Sequence, residues 1–251
     1  MTPPDVGSVL ALDLPTAFKE QVAEEGTTFL ARGLLDRDDL VFPLGTDSKV
    51  LSTVFEMFTR PLIFKIAVRH GYVVEEASQT VYPDFTLSRP GQQHGKIAID
   101  VKTTYRRPKI GFTLGSYTSF LRNGTKNILH PYSDYVSHWV IGFVYDRVSL
   151  TSKESVALKE RASVVTPYLN VAWFVQEKFK ISGVDPGSGN TANIGSIITA
   201  DIEAFRRGEG PFAKHGETVF KDYWANYVKG KKVDRIYSTV EEYLAWIATR
   251  R

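Results

Sequence analysis

Cysteine is absent from the 251 residues, so the chain has neither disulfide bonds nor thiolate metal ligands. Its five histidines do not occur at the spacing of metal ligands, which argues against a zinc site. No apolar run is long enough to span a bilayer, and the first residues lack the basic segment and apolar core of a signal peptide. We therefore expect a cytoplasmic protein that has no membrane partner.

Acidic residues are missing from one long stretch. Residues 101–133 contain six lysines and arginines and no aspartate or glutamate, whereas residues 1–60 contain ten acids and five bases. The net charge of the whole chain is only +3, so basic residues barely outnumber acidic ones overall, and this stretch is basic because it lacks acids. Such a stretch attracts a polyanion and favours nucleic-acid binding. A solvated basic loop has the same pattern and is the alternative.

The basic stretch begins inside a predicted β-hairpin of about residues 81–105. Alternation with period two places Asp100 and Lys102 on one face of the second strand. Asp84 precedes the first strand, and a glycine-containing turn separates the two strands. Pairing of these strands is expected to bring Asp84 beside Asp100.

Two carboxylates and an ammonium group on a sheet edge suit metal-assisted phosphodiester hydrolysis. Mg²⁺ takes oxygen ligands and is usually held by one or two carboxylates together with a substrate phosphate. The metal lowers the pKa of a bound water, and a neighbouring lysine holds or deprotonates that water or offsets charge on phosphorus. A hairpin with solvated charges on its outer face is the alternative that spacing alone leaves open.

Longer blocks of the sequence resemble one nuclease family. Pro83-Asp84 followed by Asp100-Val101-Lys102 matches the PD…(D/E)xK nuclease signature. Four blocks are similar to the EcoRV-type family of type II restriction endonucleases, at residues 43–53, 96–105, 117–120 and 187–196. Because the signature alone is short, these blocks in the right order carry the resemblance.

The resemblance implies roles for residues on and around the hairpin. Asp84 and Asp100 align with metal ligands, and Lys102 aligns with the catalytic lysine. Glu56 aligns with an acidic residue near the family's active site and is expected to be an auxiliary catalytic residue and metal ligand. The implied cofactor is Mg²⁺. The DNA contacts expected outside the recognition loop are Gln79, Thr103, Thr104, Ser119 and Lys126.

For three of these assignments the residues themselves add information. Gln79 alone keeps the glutamine character of the family's minor-groove loop, which is one residue shorter in this chain. Ser119 and Lys126 are of types that bond phosphate oxygens without reading sequence. A hydroxyl that satisfies a local turn is an equally good interpretation of Ser119.

A segment rich in glycine and asparagine, at about residues 183–196, is typical of a loop. Glycines permit close approach of the backbone to a ligand, and an asparagine amide pairs with the N6/N7 edge of adenine. A P-loop is disfavoured because no Lys-Ser or Lys-Thr follows. The resemblance makes this segment the major-groove recognition loop, with Ala192 in place of a hydroxyl residue. The implied contacts are Gly187, Ser188, Gly189, Asn190, Thr191, Ala192 and Asn193.

Apolar patterns predict an α/β fold with a mixed central sheet flanked by helices, and the resemblance implies a restriction-endonuclease-like fold. We expect one domain over residues 1–251, because neither a repeat nor a linker is apparent. Helices are predicted at 16–35 and from Asp47 or Ser48 to Gly71, and strands at 72–74, 138–148 and 171–181. The second of these helices is expected to bend or divide at Pro61. His138 is expected at a strand edge. The aromatic patterns after residue 219 are predicted to be core.

The resulting functional prediction is a Mg²⁺-dependent type II restriction endonuclease. The resemblance implies cleavage of double-stranded DNA at the centre of the palindrome GATATC, which leaves blunt ends with 5′-phosphates. A palindromic site is matched by a two-fold symmetric protein, so a homodimer is expected. The alternatives are another PD-(D/E)xK nuclease, such as a repair or junction-resolving enzyme, and a DNA-binding protein without catalysis.

Overall fold

A five-stranded mixed sheet forms the centre of the computed structural model, which describes residues 12–149, 154–187, 192–228 and 235–250. In sheet order the strands are β3 (Val73–Glu76), β4 (Phe85–Ser88), β5 (Lys96–Tyr105), β7 (Tyr135–Arg147) and β9 (Tyr168–Glu177). β5 and β7 are parallel, and the other three neighbouring pairs are antiparallel. The predicted mixed sheet is therefore confirmed.

Two helices cover one face of this sheet. Ile97, Ile99 and Val101 of β5 point into a core that also contains residues of α1 (Leu14–Glu25) and α2 (Ser48–Arg69). The alternate residues of β5 point away from this core, so period two leaves Asp100 and Lys102 on the opposite face.

The first helix is shorter than predicted. Instead of running over residues 16–35, α1 ends at Glu25 because Gly26 adopts a left-handed conformation with φ of 59°. The side chain of Asp13 caps its first turn by accepting a hydrogen bond from the backbone N–H of Thr16.

The second helix begins where the sequence predicts, with Asp47 as its N-cap. The expectation that Pro61 divides it is wrong, since α2 is continuous over 22 residues with Pro61 inside. Leu62, Ile63 and Ile66 beyond the proline are buried against the sheet, and this packing offsets the lost backbone hydrogen bond.

Two small sheets flank the central one. The first contains β1 (Gly33–Leu35), β2 (Leu40–Pro43) and β8 (Val156–Ala157). The second contains β6 (Thr113–Ser116), β10 (Ser182–Pro186) and β11 (Asn193–Ser196). The segment at 183–196 is thus a hairpin of β10 and β11 and not a loop throughout, because antiparallel pairing takes up both of its ends.

Helical turns and the C-terminal helices complete the described chain. A π-helical turn (Tyr117–Leu121) follows β6, and 3₁₀ turns lie at Tyr132–Asp134 and Leu158–Ser163. The remaining helices are α3 (Lys178–Ile181), α4 (Ile202–Arg207), α5 (Glu217–Asn226) and α6 (Val240–Ala248). Aromatic residues of α5 and α6 are buried on the second face of the sheet, as predicted.

Two strand predictions need correction. The predicted strand 171–181 ends at Glu177, because residues 178–181 form the short helix α3. His138 lies within β7, which has a neighbouring strand on each side, and not at an edge. The His138 ring is buried, and its Nδ1 lies 2.7 Å from the Tyr82 hydroxyl.

No helix in the described ranges is both long and apolar enough to cross a bilayer. The cytoplasmic location and the single domain over residues 1–251 stay predictions.

Candidate active site

The hairpin of β4 and β5 places two carboxylates side by side. Phe85 of β4 is opposite Ile99 of β5, so Asp84 lies next to Asp100 in the antiparallel register. The Asp84 carboxylate accepts a hydrogen bond of 2.6 Å from the backbone N–H of Val101, which ties it to the neighbouring strand. The expected juxtaposition of the two acids is therefore present.

Lys102 completes the predicted set on the same face of β5. Its Nζ donates to Asp100 Oδ1 at 2.6 Å and to the Val101 carbonyl oxygen at 3.1 Å. Asp100 itself is 3% exposed. Asp84, which directly precedes β4, and Asp100 and Lys102 of β5 thus form a compact Asp/Asp/Lys group.

The two carboxylates differ in their ionisation. Burial and the negative charge of Asp100 raise the pKa of Asp84 to about 7. Burial opposes ionisation of Asp100 as well, yet the ammonium groups of Lys102 and Lys178 hold its pKa below the ordinary value. Near neutral pH the pair therefore holds one proton part of the time, with Asp100 charged and the proton on Asp84.

Glu56 approaches this group from α2. Burial raises the pKa of Glu56, and the charge of Lys102 acts against that rise. One cleft is lined by Glu56 together with Asp84, and another is lined by Glu56 together with Lys102. Glu56 thus lies beside the Asp/Asp/Lys group, a position that would suit an auxiliary role.

Six of the candidate DNA contacts line three clefts around the Asp/Asp/Lys group. Gln79 lines the cleft that contains Glu56 and Asp84. Thr103 and Thr104 line the cleft that contains Glu56 and Lys102. A third cleft contains Asp84, Asp100 and Lys102, and its lining also includes Ser119, Lys126 and Asn193. All six candidates therefore lie beside the Asp/Asp/Lys group.

Ser119 and Ala192 have structural partners. The Ser119 hydroxyl donates to the Lys126 carbonyl oxygen at 2.7 Å, so it satisfies a turn in the basic stretch. The Ala192 carbonyl oxygen accepts from the Tyr117 backbone N–H at 2.9 Å. Gly187 N–H donates to the Asn193 carbonyl oxygen at 2.8 Å and closes the described part of the hairpin. Ser188, Gly189, Asn190 and Thr191 lie outside the described residues.

Several bases of the stretch 101–133 also have partners within the protein. Arg106 pairs with Asp146 at 2.9 Å, and the Arg107 guanidinium lies 4.0 Å from the centroid of the Tyr105 ring. Arg122 donates to the carbonyl oxygens of Ala225 and Tyr227. These contacts show that part of the positive charge stabilises the fold.

Lys178 is a member of the site that the sequence analysis missed. It is 2% exposed, and its Nζ lies 3.4 Å from Asp100 Oδ2. Burial lowers the pKa of Lys178 to about 8, although Asp100 acts in the opposite direction. Because the sequence predicts one strand over residues 171–181, no sequence signal distinguishes Lys178 from Lys180.

The acidic residues fit a hard divalent cation. Within the described ranges, no three side chains of histidine, cysteine, aspartate or glutamate form a cluster of the kind that encloses a metal. A Mg²⁺ ion needs only one or two carboxylates, since water and a substrate phosphate supply the remaining oxygens. Asp84 and Asp100 could provide that pair, and a cation would displace the proton that Asp84 holds near neutral pH.

Comparison with known proteins agrees with the motif. The family model described as "Restriction endonuclease EcoRV" matches residues 25–248. The type II restriction enzyme EcoRV of Escherichia coli is 46% identical over 231 residues, which cover 89% of this chain and 93% of that protein. The NlaIV restriction endonuclease gives a TM-score of 0.44 at 14% identity and covers 86% of this chain and 87% of its own.

Proposed function

Since the chain belongs to the EcoRV family of type II restriction endonucleases and is a site-specific deoxyribonuclease, we propose that it hydrolyses double-stranded DNA with the help of Mg²⁺. In this proposal Asp84, Asp100 and Lys102 form the active site. The observation that carries this assignment is the adjacency of the two acids, with Lys102 at 2.6 Å from Asp100. Family membership sets aside the two alternatives of a repair nuclease and a DNA-binding protein without catalysis.

Each residue of the group has a distinct role in this proposal. Asp84 and Asp100 hold the cation, and Glu56 assists from the adjoining clefts. When bound, Mg²⁺ lowers the pKa of a water and neutralises charge on the phosphoryl oxygens. Burial works against the charged form of Lys102, but Asp100 and Asp84 raise its pKa, so it stays an ammonium ion near neutral pH. That charge favours holding the attacking water and stabilising the transition state over accepting a proton.

The proposed recognition site is GATATC, cut at its centre to blunt ends with 5′-phosphates. The 46% identity to an EcoRV enzyme supports this, as does the hairpin of β10 and β11, whose Asn193 lines the cleft that contains Asp84, Asp100 and Lys102. Asn190 is proposed to read adenine through its amide. The central TA step of this site is flexible and would bend readily. The energy of bending would therefore discriminate between DNA sequences at base pairs that the protein does not contact.

The enzyme is proposed to act as a homodimer. A palindromic site presents two equivalent strands, and a two-fold protein gives each strand one active site. The small sheet of β1, β2 and β8 supports this proposal. Leu34 of β1 and Phe42 of β2 are a cross-strand pair, and their side chains are 55% and 46% exposed. Leu40 adds to the same face. Contact with a second copy would bury this strip of three apolar residues.

A plasmid digest tests the proposal. The purified protein is incubated with a plasmid of known sequence and Mg²⁺, and the ends of the fragments are sequenced. We expect discrete fragments whose blunt ends lie within GATATC and carry 5′-phosphates, with no cleavage in EDTA. Discrete ends at another palindrome would contradict the proposed site, whereas random nicking or absence of metal-dependent cutting would contradict the proposed active site.

A further inference from the structure

Asp100 has an ammonium group at each of its carboxylate oxygens. Lys102 Nζ lies 2.6 Å from Oδ1, and Lys178 Nζ lies 3.4 Å from Oδ2. The Lys102 side chain is 25% exposed, whereas that of Lys178 is 2% exposed. The two lysines are therefore unequal: Lys102 faces the cleft and Lys178 lies beneath it.

The surroundings of Lys178 fix its position. It is the first residue of α3, directly after β9 ends at Glu177. Its Nζ lies 3.8 Å from the centroid of the Tyr82 ring and 5.5 Å from that of Phe120. These contacts stabilise a cation at a position where the side chain is almost fully buried.

Burying an ammonium ion is costly, and an apolar side chain of similar length would fill the same space. Packing alone therefore does not account for a lysine at position 178. Among the described residues, the acid within hydrogen-bonding distance of Lys178 Nζ is Asp100. The charge of Lys178 therefore acts most directly on that carboxylate.

We propose that Lys178 is a positioning residue that acts as an internal cation on Asp100 and lowers the affinity of the DNA-free enzyme for divalent metal ions. The inference rests on the proposed metal site. With Glu56, Asp84 and Asp100 ionised, the acids contribute three negative charges, and Lys102 and Lys178 offset two of them. Loss of Lys178 leaves a more negative site, which attracts a dication more strongly.

The test is Mn²⁺ binding to the metal-free, DNA-free protein at pH 7.5, measured by electron paramagnetic resonance of the unbound ion. We expect Lys178→Met to bind Mn²⁺ about tenfold more tightly than the wild type. A purely structural role predicts the reverse, because a loosened site binds metal more weakly. Circular dichroism and thermal denaturation check that the variant is folded, and Lys178→Gln takes its place if it is not.

Lys180→Met is the matched control. It removes the same charge two residues away, where the Lys180 side chain is 37% exposed and pairs with Glu177. We expect its Mn²⁺ affinity to equal that of the wild type. Equal tightening by both variants would overturn the inference, since it would reflect net charge alone, and so would unchanged or weaker binding by folded Lys178→Met.

Asp100→Asn separates this inference from the proposed function. If Asp100→Asn does not weaken Mn²⁺ binding in the wild-type background, the metal assignment fails and the inference about Lys178 fails with it. If Asp100→Asn weakens binding while Lys178→Met leaves it unchanged, the metal site stands and only the role of Lys178 is overturned.

Discussion

The Asp84 carboxylate accepts a 2.6 Å hydrogen bond from the backbone N–H of Val101, the residue that follows Asp100. This bond fixes Asp84 to the strand that carries the other acid and so holds two like charges together. Repulsion between them is relieved in two ways: Asp84 takes up a proton with a pKa of about 7, and two lysines flank Asp100. A bound cation would therefore neutralise the negative charge of these two carboxylates.

Asp84→Asn is predicted to abolish most cleavage without unfolding the protein. The asparagine oxygen still accepts the hydrogen bond from Val101, but the amide is a poor ligand for a hard cation. We expect the rate of plasmid cleavage in saturating Mg²⁺ to fall by at least about 100-fold, with the thermal midpoint little changed.

Glu56→Gln is the control for that measurement. Glu56 lies on α2 beside the group, so we expect a loss of less than about tenfold. An Asp84→Asn enzyme that keeps the wild-type rate would remove Asp84 from the catalytic group.

The raised pKa of Asp84 predicts how stability depends on pH in the absence of metal. Between the ordinary value of 3.8 and about 7, the folded protein binds a proton that the unfolded chain has released. Stability from this group is therefore fully present below pH 4 and is lost as pH rises through 7. From pH 5 to pH 7.5 we expect the free energy of unfolding of the wild type to fall by about 2 kcal/mol relative to Asp84→Asn.

Guanidinium unfolding curves in EDTA at the two pH values measure this difference. The comparison with Asp84→Asn matters because burial lowers the pKa of His138, and that effect raises stability with pH over part of the same range. Both proteins contain His138, so its contribution cancels. If the two proteins change in parallel between pH 5 and pH 7.5, Asp84 is not the titrating group.

Local sequence signals are sufficient to predict the hairpin of β4 and β5. Period-two alternation and a glycine turn determine both the register and the shared face of Asp100 and Lys102, so the geometry follows from nearby residues. Lys178 could not be found in this way, because its contact with Asp100 joins residues 78 positions apart in the chain. The short helix α3 places Lys178 in the interior, and it interrupts an apolar run that predicts one strand over residues 171–181.

Tertiary packing also explains the errors in the helices. Apolar side chains after Pro61 bury against the sheet and keep α2 continuous, although the proline alone favours a break. Conversely, Gly26 ends α1 with Phe29 still buried, so an apolar residue beyond the end of the helix was read as part of it. The apolar pattern thus identifies core residues in both helices, whereas a break in α2 and the end of α1 depend on the tertiary structure and on Gly26.

Asn190→Ala is predicted to remove sequence-specific cutting. An asparagine that pairs with adenine through two hydrogen bonds contributes about 1–3 kcal/mol of discrimination, and its loss leaves the base edge unpaired. We expect cleavage at GATATC to fall at least about tenfold, while Mn²⁺ binding to the DNA-free protein is unchanged. Kinetics on a duplex with one GATATC site measure the first quantity. The wild-type rate and fragment pattern in this variant would show that Asn190 does not read the DNA.

Leu34 and Phe42 provide the test of assembly, because their exposed side chains form the apolar strip on β1 and β2. Light scattering of the wild type is expected to give the mass of two chains. The double variant Leu34→Glu and Phe42→Glu should give one chain, since four buried carboxylates would repel each other across a two-fold interface. Val68→Glu, at an 80% exposed position of α2, should remain dimeric. A wild-type monomer, free and bound to DNA, would contradict the two-fold assembly, and a dimeric double variant would move the interface elsewhere.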